Sequence, residues 1–147
     1  EVSKKRKIVV LADNNRELIK RIVILIAGSS FREVLFADDI EKINFSSREY
    51  LIFNFDKGNI RKLKEGDSVK ILTFGFQEGA NFQATDVKIN GGTNFKVNYQ
   101  GKIVPIWLTG TKSREEIYPF LAVVAIGTAL DLNLVEISQA LGEIKNT

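Results

Sequence analysis

Leu72-Thr73-Phe74-Gly75-Phe76-Gln77-Glu78-Gly79-Ala80-Asn81-Phe82-Gln83-Ala84-Thr85-Asp86-Val87 is the stretch that decides the fold. Its apolar start predicts a buried strand over 69–76, and glycines at 75 and 79 then turn the chain before a second extended segment begins at Phe82. Residues 82–89 and 94–99 alternate in character about Asn90-Gly91-Gly92-Thr93, which predicts a hairpin, because Asn-Gly supplies the positive φ angles of a primed turn. Residues 102–108 extend this ribbon past Gln100-Gly101; Pro105 has no N–H for a ladder, so the strand is predicted to be an edge strand or irregular. An apolar helix is predicted from near Glu116, and its body, Phe120 to Leu130, is apolar nearly all round, as a helix buried against a sheet must be. Asn133 and Glu136 have capping-box spacing ahead of a last helix with Leu134, Ile137, Leu141 and Ile144 on one face.

The first half reads as the opening of a βαβ unit. Ile8-Val9-Val10-Leu11 is a continuous apolar run suited to a strand covered on both faces. Asn14 and Glu17 are spaced as a capping box before a helix whose apolar face is Leu18, Ile22 and Leu25, reinforced by Ile19, Val23 and Ile26, and Gly28 is its expected stop. Val34 to Ala37 predicts a short strand, with a brief helix over 40–43 behind Asp38-Asp39. Paired carboxylates suit either a divalent cation or a helix cap, and the cap is the preferred assignment. Tyr50 to Phe55 predicts another buried strand ended by the turn Asp56-Lys57-Gly58-Asn59, and residues 61–66 suit a short surface helix.

Composition narrows the chemistry. At 147 residues and 44% apolar, the chain is one domain's worth of sequence, expected as a single unit over 1–147 with 1–7 as a basic flank. It starts at Glu1 and contains no Met, and so reads as a segment cut from a longer protein. Zero Cys excludes disulfides and thiolate chemistry, and zero His removes the commonest general base and metal ligand. The formal charge of +3 is concentrated in Lys4-Lys5-Arg6-Lys7, a run that more often forms a solvated flank than a nucleic-acid arm. No apolar run approaches the length that crosses a bilayer.

The order of elements over residues 69–141 resembles the last third of the central, ATP-binding domain of the Mur ligases, which join amino acids to the peptidoglycan precursor. The resemblance implies an α/β fold: a three-layer parallel sheet with flanking helices and an antiparallel β-ribbon insertion. It also implies a cytoplasmic setting. Against the family's Thr-Gly-x-x-Gly-Lys-Thr-Thr phosphate loop, Leu11 to Leu18 falls in register with Ala12 and Asn15 at the glycines, Arg16 at the lysine and Glu17 at the metal-holding threonine. Close backbone approach to phosphate needs glycine, and a carboxylate there repels the ligand. Against the family's Asn-x-Asp-Asp strand end, Asn54 and Asp56 match and Lys57 does not. Where the family has Gly-x-His-Asn-x-x-Asn, this chain has Gly110, then Glu115, Glu116 and Pro119 at the three polar positions. Only residues 29–50 separate Gly28 from Leu51, too few for the family's catalytic segment.

These residues lead to a specific expectation. The chain is read as a non-catalytic Mur-ligase-like binding or structural module with no cofactor, no metal and no catalytic residue. Asp13, Asn14, Asn15, Arg16, Asn54 and Asp56 are its vestigial nucleotide-binding positions. A protein partner or flanking domain is expected, with no membrane, and nucleic acid ranks last among partners. The alternative is an ATP- and Mg-dependent carboxylate–amine ligase of the peptidoglycan-precursor type, or a fragment of one. Trp107, Tyr99 and Tyr118 are expected to finish a core rather than form a recognition patch.

Overall fold

The computed structural model describes residues 7–11, 15–37, 49–57 and 69–144. A seven-stranded sheet in the order β2-β1-β3-β4-β5-β6-β7 organises them. Its strands are β1 (Lys7–Leu11), β2 (Val34–Ala37), β3 (Glu49–Asn54), β4 (Val69–Gly75), β5 (Phe82–Ile89), β6 (Gly92–Tyr99) and β7 (Lys102–Thr109). The first four pair in parallel, and β5, β6 and β7 form the antiparallel ribbon. Helices α1 (Arg16–Ala27), α2 (Arg114–Ala129) and α3 (Leu134–Gly142) share one core with the sheet. The architecture is the mixed α/β class expected from the sequence.

The apolar runs become strands buried on both faces. Ile8, Val10 and Ile52 face the main core with α1 and α2, whereas Val9, Leu51 and Phe53 form a separate cluster on the other face. In the ribbon, alternation leaves one face buried (Phe95, Val97, Val104, Ile106 and Leu108) and the other open. Trp107 falls on the open face at 60% exposure, so it does not complete a core. Its position follows from strict alternation with buried Ile106 and Leu108, which no preference of aromatics for interiors overrides. Tyr118 does join the core, and Tyr99 stacks on Phe82 with ring centroids 4.0 Å apart. As Pro105 requires, β7 is an edge strand, and α3 lies beside it, with Ser138 Oγ donating to the Pro105 carbonyl.

Parallel neighbours ordinarily need a crossover of a dozen or more residues, yet only residues 76–81 connect β4 to β5. Asn81 makes the short route workable by imitating a strand. Its Oδ1 accepts from Thr73 N at 2.8 Å and its own N–H donates to Thr73 Oγ1 at 3.0 Å, which satisfies Thr73 on the side of β4 opposite β3, before the pairing with β5 begins. The pairing with β5 then runs only through Phe74↔Phe82 and Gly75↔Gln83.

Local details depart from the expectations in three places. The first helix starts at Arg16 with Asn15, not Asn14, as N-cap and with no side-chain bond from that cap; Asn14, the expected partner of Glu17 in a capping box, lies outside the described residues. The second begins at Arg114, earlier than Glu116, because Ser113 and Glu116 build a full capping box. At the first hairpin only Gly91 takes a positive φ, +73°; the primed geometry belongs to Gln100-Gly101, with φ of +50° and +80°. The Asp38-Asp39 pair, the helices expected over 40–43 and 61–66, and the basic run before Lys7 lie outside the described residues.

Candidate functional site

Strand β1 lies between β2 and β3, so the chain leaves it first to one side and then to the other. Ligands of open α/β sheets bind outside the carboxyl ends of the strands at such a reversal. Here that edge is formed by the end of β1, the turn after β3, the turn after β4 and the N-termini of α1 and α2.

Asp56 is its centre. Asn54 Oδ1 accepts the Asp56 N–H at 2.9 Å, an Asx turn that swings the Asp56 carboxylate towards β4. There Oδ2 accepts from Phe76 N at 2.8 Å and Oδ1 from Gln77 N at 3.0 Å. The hydroxyl of Tyr118, on α2, donates to Oδ2 at 2.7 Å. One carboxylate thus ties β3, the turn after β4 and α2 together. Gly75 is required by this geometry, because a Cβ at that position would lie 2.5 Å from Asp56 Oδ1.

Side chains from three elements meet around Asp56, which stays partly exposed. Tyr118 is 7% exposed and meets Phe76 edge-on, ring centroids 5.4 Å apart. Burial, and next the hydrogen bond to Asp56, hold the Tyr118 hydroxyl well above the ordinary tyrosine pKa. Lys57 Nζ donates to Glu115 Oε1 and lies 4.9 Å from the Tyr118 ring centroid. The Arg114 guanidinium sits 4.3 Å from the centre of Phe76. Glu116 accepts from Ser113 N at 2.8 Å, the main reason its carboxyl lies below the usual carboxylate range.

Of the positions singled out from the sequence, Asn54 and Asp56 come together in this cluster. Asn15 and Arg16 lie at the start of α1, where the Arg16 guanidinium is 6.0 Å from the Phe36 ring centroid. Asp13 and Asn14 are outside the described residues. Among the described residues no group of three or more His, Cys, Asp or Glu side chains is placed to hold a metal. Tyr118, Lys57 and Glu115 also belong to the cluster, and no local sequence pattern joins them to Asp56. Only the Ser113-x-x-Glu116 box, which fixes where α2 begins, marked that helix start as an ordered one.

This fold and its edge have relatives. The solved structure of a UDP-N-acetylmuramoyl-L-alanyl-D-glutamate–2,6-diaminopimelate ligase superposes on 99% of this chain, using 47% of its own, with a TM-score of 0.69 and 10% identity. MurF from Acinetobacter baumannii superposes on 98%, again using 47% of its own chain, with a TM-score of 0.63 and 13% identity. A sequence relative, the UDP-N-acetylmuramate–L-alanine ligase of Sulfurihydrogenibium sp. (strain YO3AOP1), is 32% identical over 94 residues, which are 63% of this chain and 20% of that protein. The chain has the fold of these Mur ligases and resembles one of their relatives in sequence over 94 residues. No protein-family profile matches it. It spans a fifth of the curated relative's length and just under half of the two solved ligases. No helix among the described residues of this Mur-ligase-like domain is long and apolar enough to cross a membrane.

Proposed function

We propose that this Mur-ligase-like domain is a binding or structural module that does not itself hydrolyse ATP. The observation that supports this most strongly is the engagement of Asp56, whose two oxygens accept from Phe76 N, Gln77 N and the Tyr118 hydroxyl. A carboxylate held by its own fold is not turned towards a ribose or a metal. Lys57 is directed at Glu115, and the start of α2 carries Glu115 and Glu116 where a nucleotide base would meet neutral amides. Glu17, in the first turn of α1 with an 89% exposed side chain and 3.6 Å from the Lys20 ammonium, stands where the family pattern has a metal-holding threonine and offers a carboxylate in place of that hydroxyl. These residues do not fit a polyphosphate with its metal ion, so no catalytic step is assigned to them. The surface left for recognition is that of a partner protein or flanking domain.

The second reading is an ATP-dependent carboxylate–amine ligase, or part of one, and the 32% identity to a protein named as such a ligase favours it. It requires Arg16 to act where a lysine is expected, and the planar guanidinium is a poor substitute for a compact ammonium at a crowded phosphate. Isothermal titration with ATP and magnesium distinguishes the two. The module reading expects no saturable heat, and micromolar affinity overturns it.

A further inference from the structure

At the other end of the sheet from Asp56 lies an open hollow of about 450 Å³. It is lined by Tyr50 and by Lys70, Ile71 and Leu72 in the first half of β4, together with Asn81, the Tyr99-Gln100 corner of the β6–β7 hairpin, and Thr128 and Ala129 in the last turn of α2. Its volume falls within the range of small-molecule sites. Among the described residues the lining contains Lys70 and no carboxylate, and its remaining polar side chains are hydroxyls and amides.

Two further observations specify the ligand. Tyr99 is held flat against Phe82, the rings 6° from parallel, so an aromatic wall stands in a fixed orientation beside the cation. The Lys70 ammonium lies 5.7 Å from the Tyr50 ring centroid, which places the cation beside an aromatic face. A lining with a lysine ammonium, the hydroxyls of Tyr50 and Tyr99, the amides of Asn81 and Gln100, and aromatic walls suits a negatively charged head on a flat body.

We propose that this hollow binds a small organic anion, a carboxylate or phosphate carried on a planar group. Lys70 holds the anionic head, and Tyr50 and Tyr99 flank the body. The site is independent of the nucleotide question, because none of its residues belongs to the Asp56 cluster.

The test uses benzoate as the probe, with benzyl alcohol as its uncharged counterpart, followed by amide chemical shifts of the isotopically labelled protein. Benzoate should produce saturable shifts at residues 70–72, 99–100 and 128–129. Benzyl alcohol should bind more weakly, and residues 54–57 and 115–118 should not respond. Lys70→Gln should weaken benzoate by about tenfold or more, the value of a charge-assisted hydrogen bond. Tyr99→Phe keeps the stack on Phe82, removes one hydroxyl and should cost about two- to tenfold. Lys70 is exposed, so its variant should melt with the parent, which separates a lost ligand contact from a lost fold. Absence of saturation at millimolar benzoate, equal affinity for the alcohol, or unchanged affinity in Lys70→Gln overturns the proposal. Failure here leaves the ATP titration unaffected, and the reverse also holds.

Discussion

Replacing Asp56 by alanine should unfold the carboxyl edge at its centre. The substitution removes the acceptor of Phe76 N, Gln77 N and the Tyr118 hydroxyl together. Gln77 is exposed and can turn to water, whereas Tyr118 is buried and Phe76 partly so. Leaving a buried donor without a partner costs about 1–3 kcal/mol, so two of them place the loss near 3 kcal/mol. For a chain of this size about 2–4 °C accompanies each kcal/mol, which predicts a melting temperature lower by roughly 6–12 °C. Urea denaturation followed by far-ultraviolet circular dichroism measures the loss directly. Tyr118→Phe and the double variant complete a cycle, whose coupling should be about 1–2 kcal/mol, because removing the hydroxyl removes one of the orphaned groups. An Asp56→Ala loss below about 0.5 kcal/mol with an unchanged denaturant slope would refute the idea that this carboxylate holds the edge together.

Other consequences follow from the same geometry. Asn81→Ala should cost about 2 kcal/mol and strip hydrogen-exchange protection from the Thr73 amide, which otherwise donates to Asn81 Oδ1. Because the Tyr118 hydroxyl is raised in the fold, its contribution is complete below the ordinary tyrosine value of about 10 and is lost as pH climbs towards the folded value. Tyr118→Phe should therefore flatten stability against pH in that alkaline window, read by denaturant melts at stepped pH. Glu116 is shifted the other way, so its contribution is present above the usual carboxylate range and is lost as pH falls through its lowered value. Ser113→Ala should cost about 1 kcal/mol near neutrality and show a shallower acid loss than the parent.

The sheet was legible because its evidence is local. Apolar runs such as Ile8 to Leu11, the alternation about Asn90-Gly91 and the missing N–H of Pro105 each constrain their own strand without help from elsewhere. The Asn133–Glu136 box is likewise contained in four residues and formed as expected. The cluster around Asp56 was not legible, because Phe76 is 20 residues from Asp56 and Tyr118 is 62 away. Asn54-x-Asp56 alone spells a turn, and nothing in its neighbourhood says that its carboxylate will be met by an α2 hydroxyl. The Ser113–Glu116 box, by contrast, is contained in four residues and its spacing is legible in the sequence. For Trp107 the strand's own alternation is the stronger signal: it sits between buried Ile106 and Leu108 and faces out, against the general preference of aromatics for interiors.

The central claim is that the carboxyl edge of this sheet is closed by the protein's own side chains. Titrating the isotopically labelled protein with ATP and magnesium, while following the amides of Asn54, Asp56, Gln77 and Glu115, tests it most directly. The account predicts that these resonances stay in place up to millimolar nucleotide. Saturable, magnesium-dependent shifts at these positions together with Arg16, with half-saturation in the micromolar range, would contradict it.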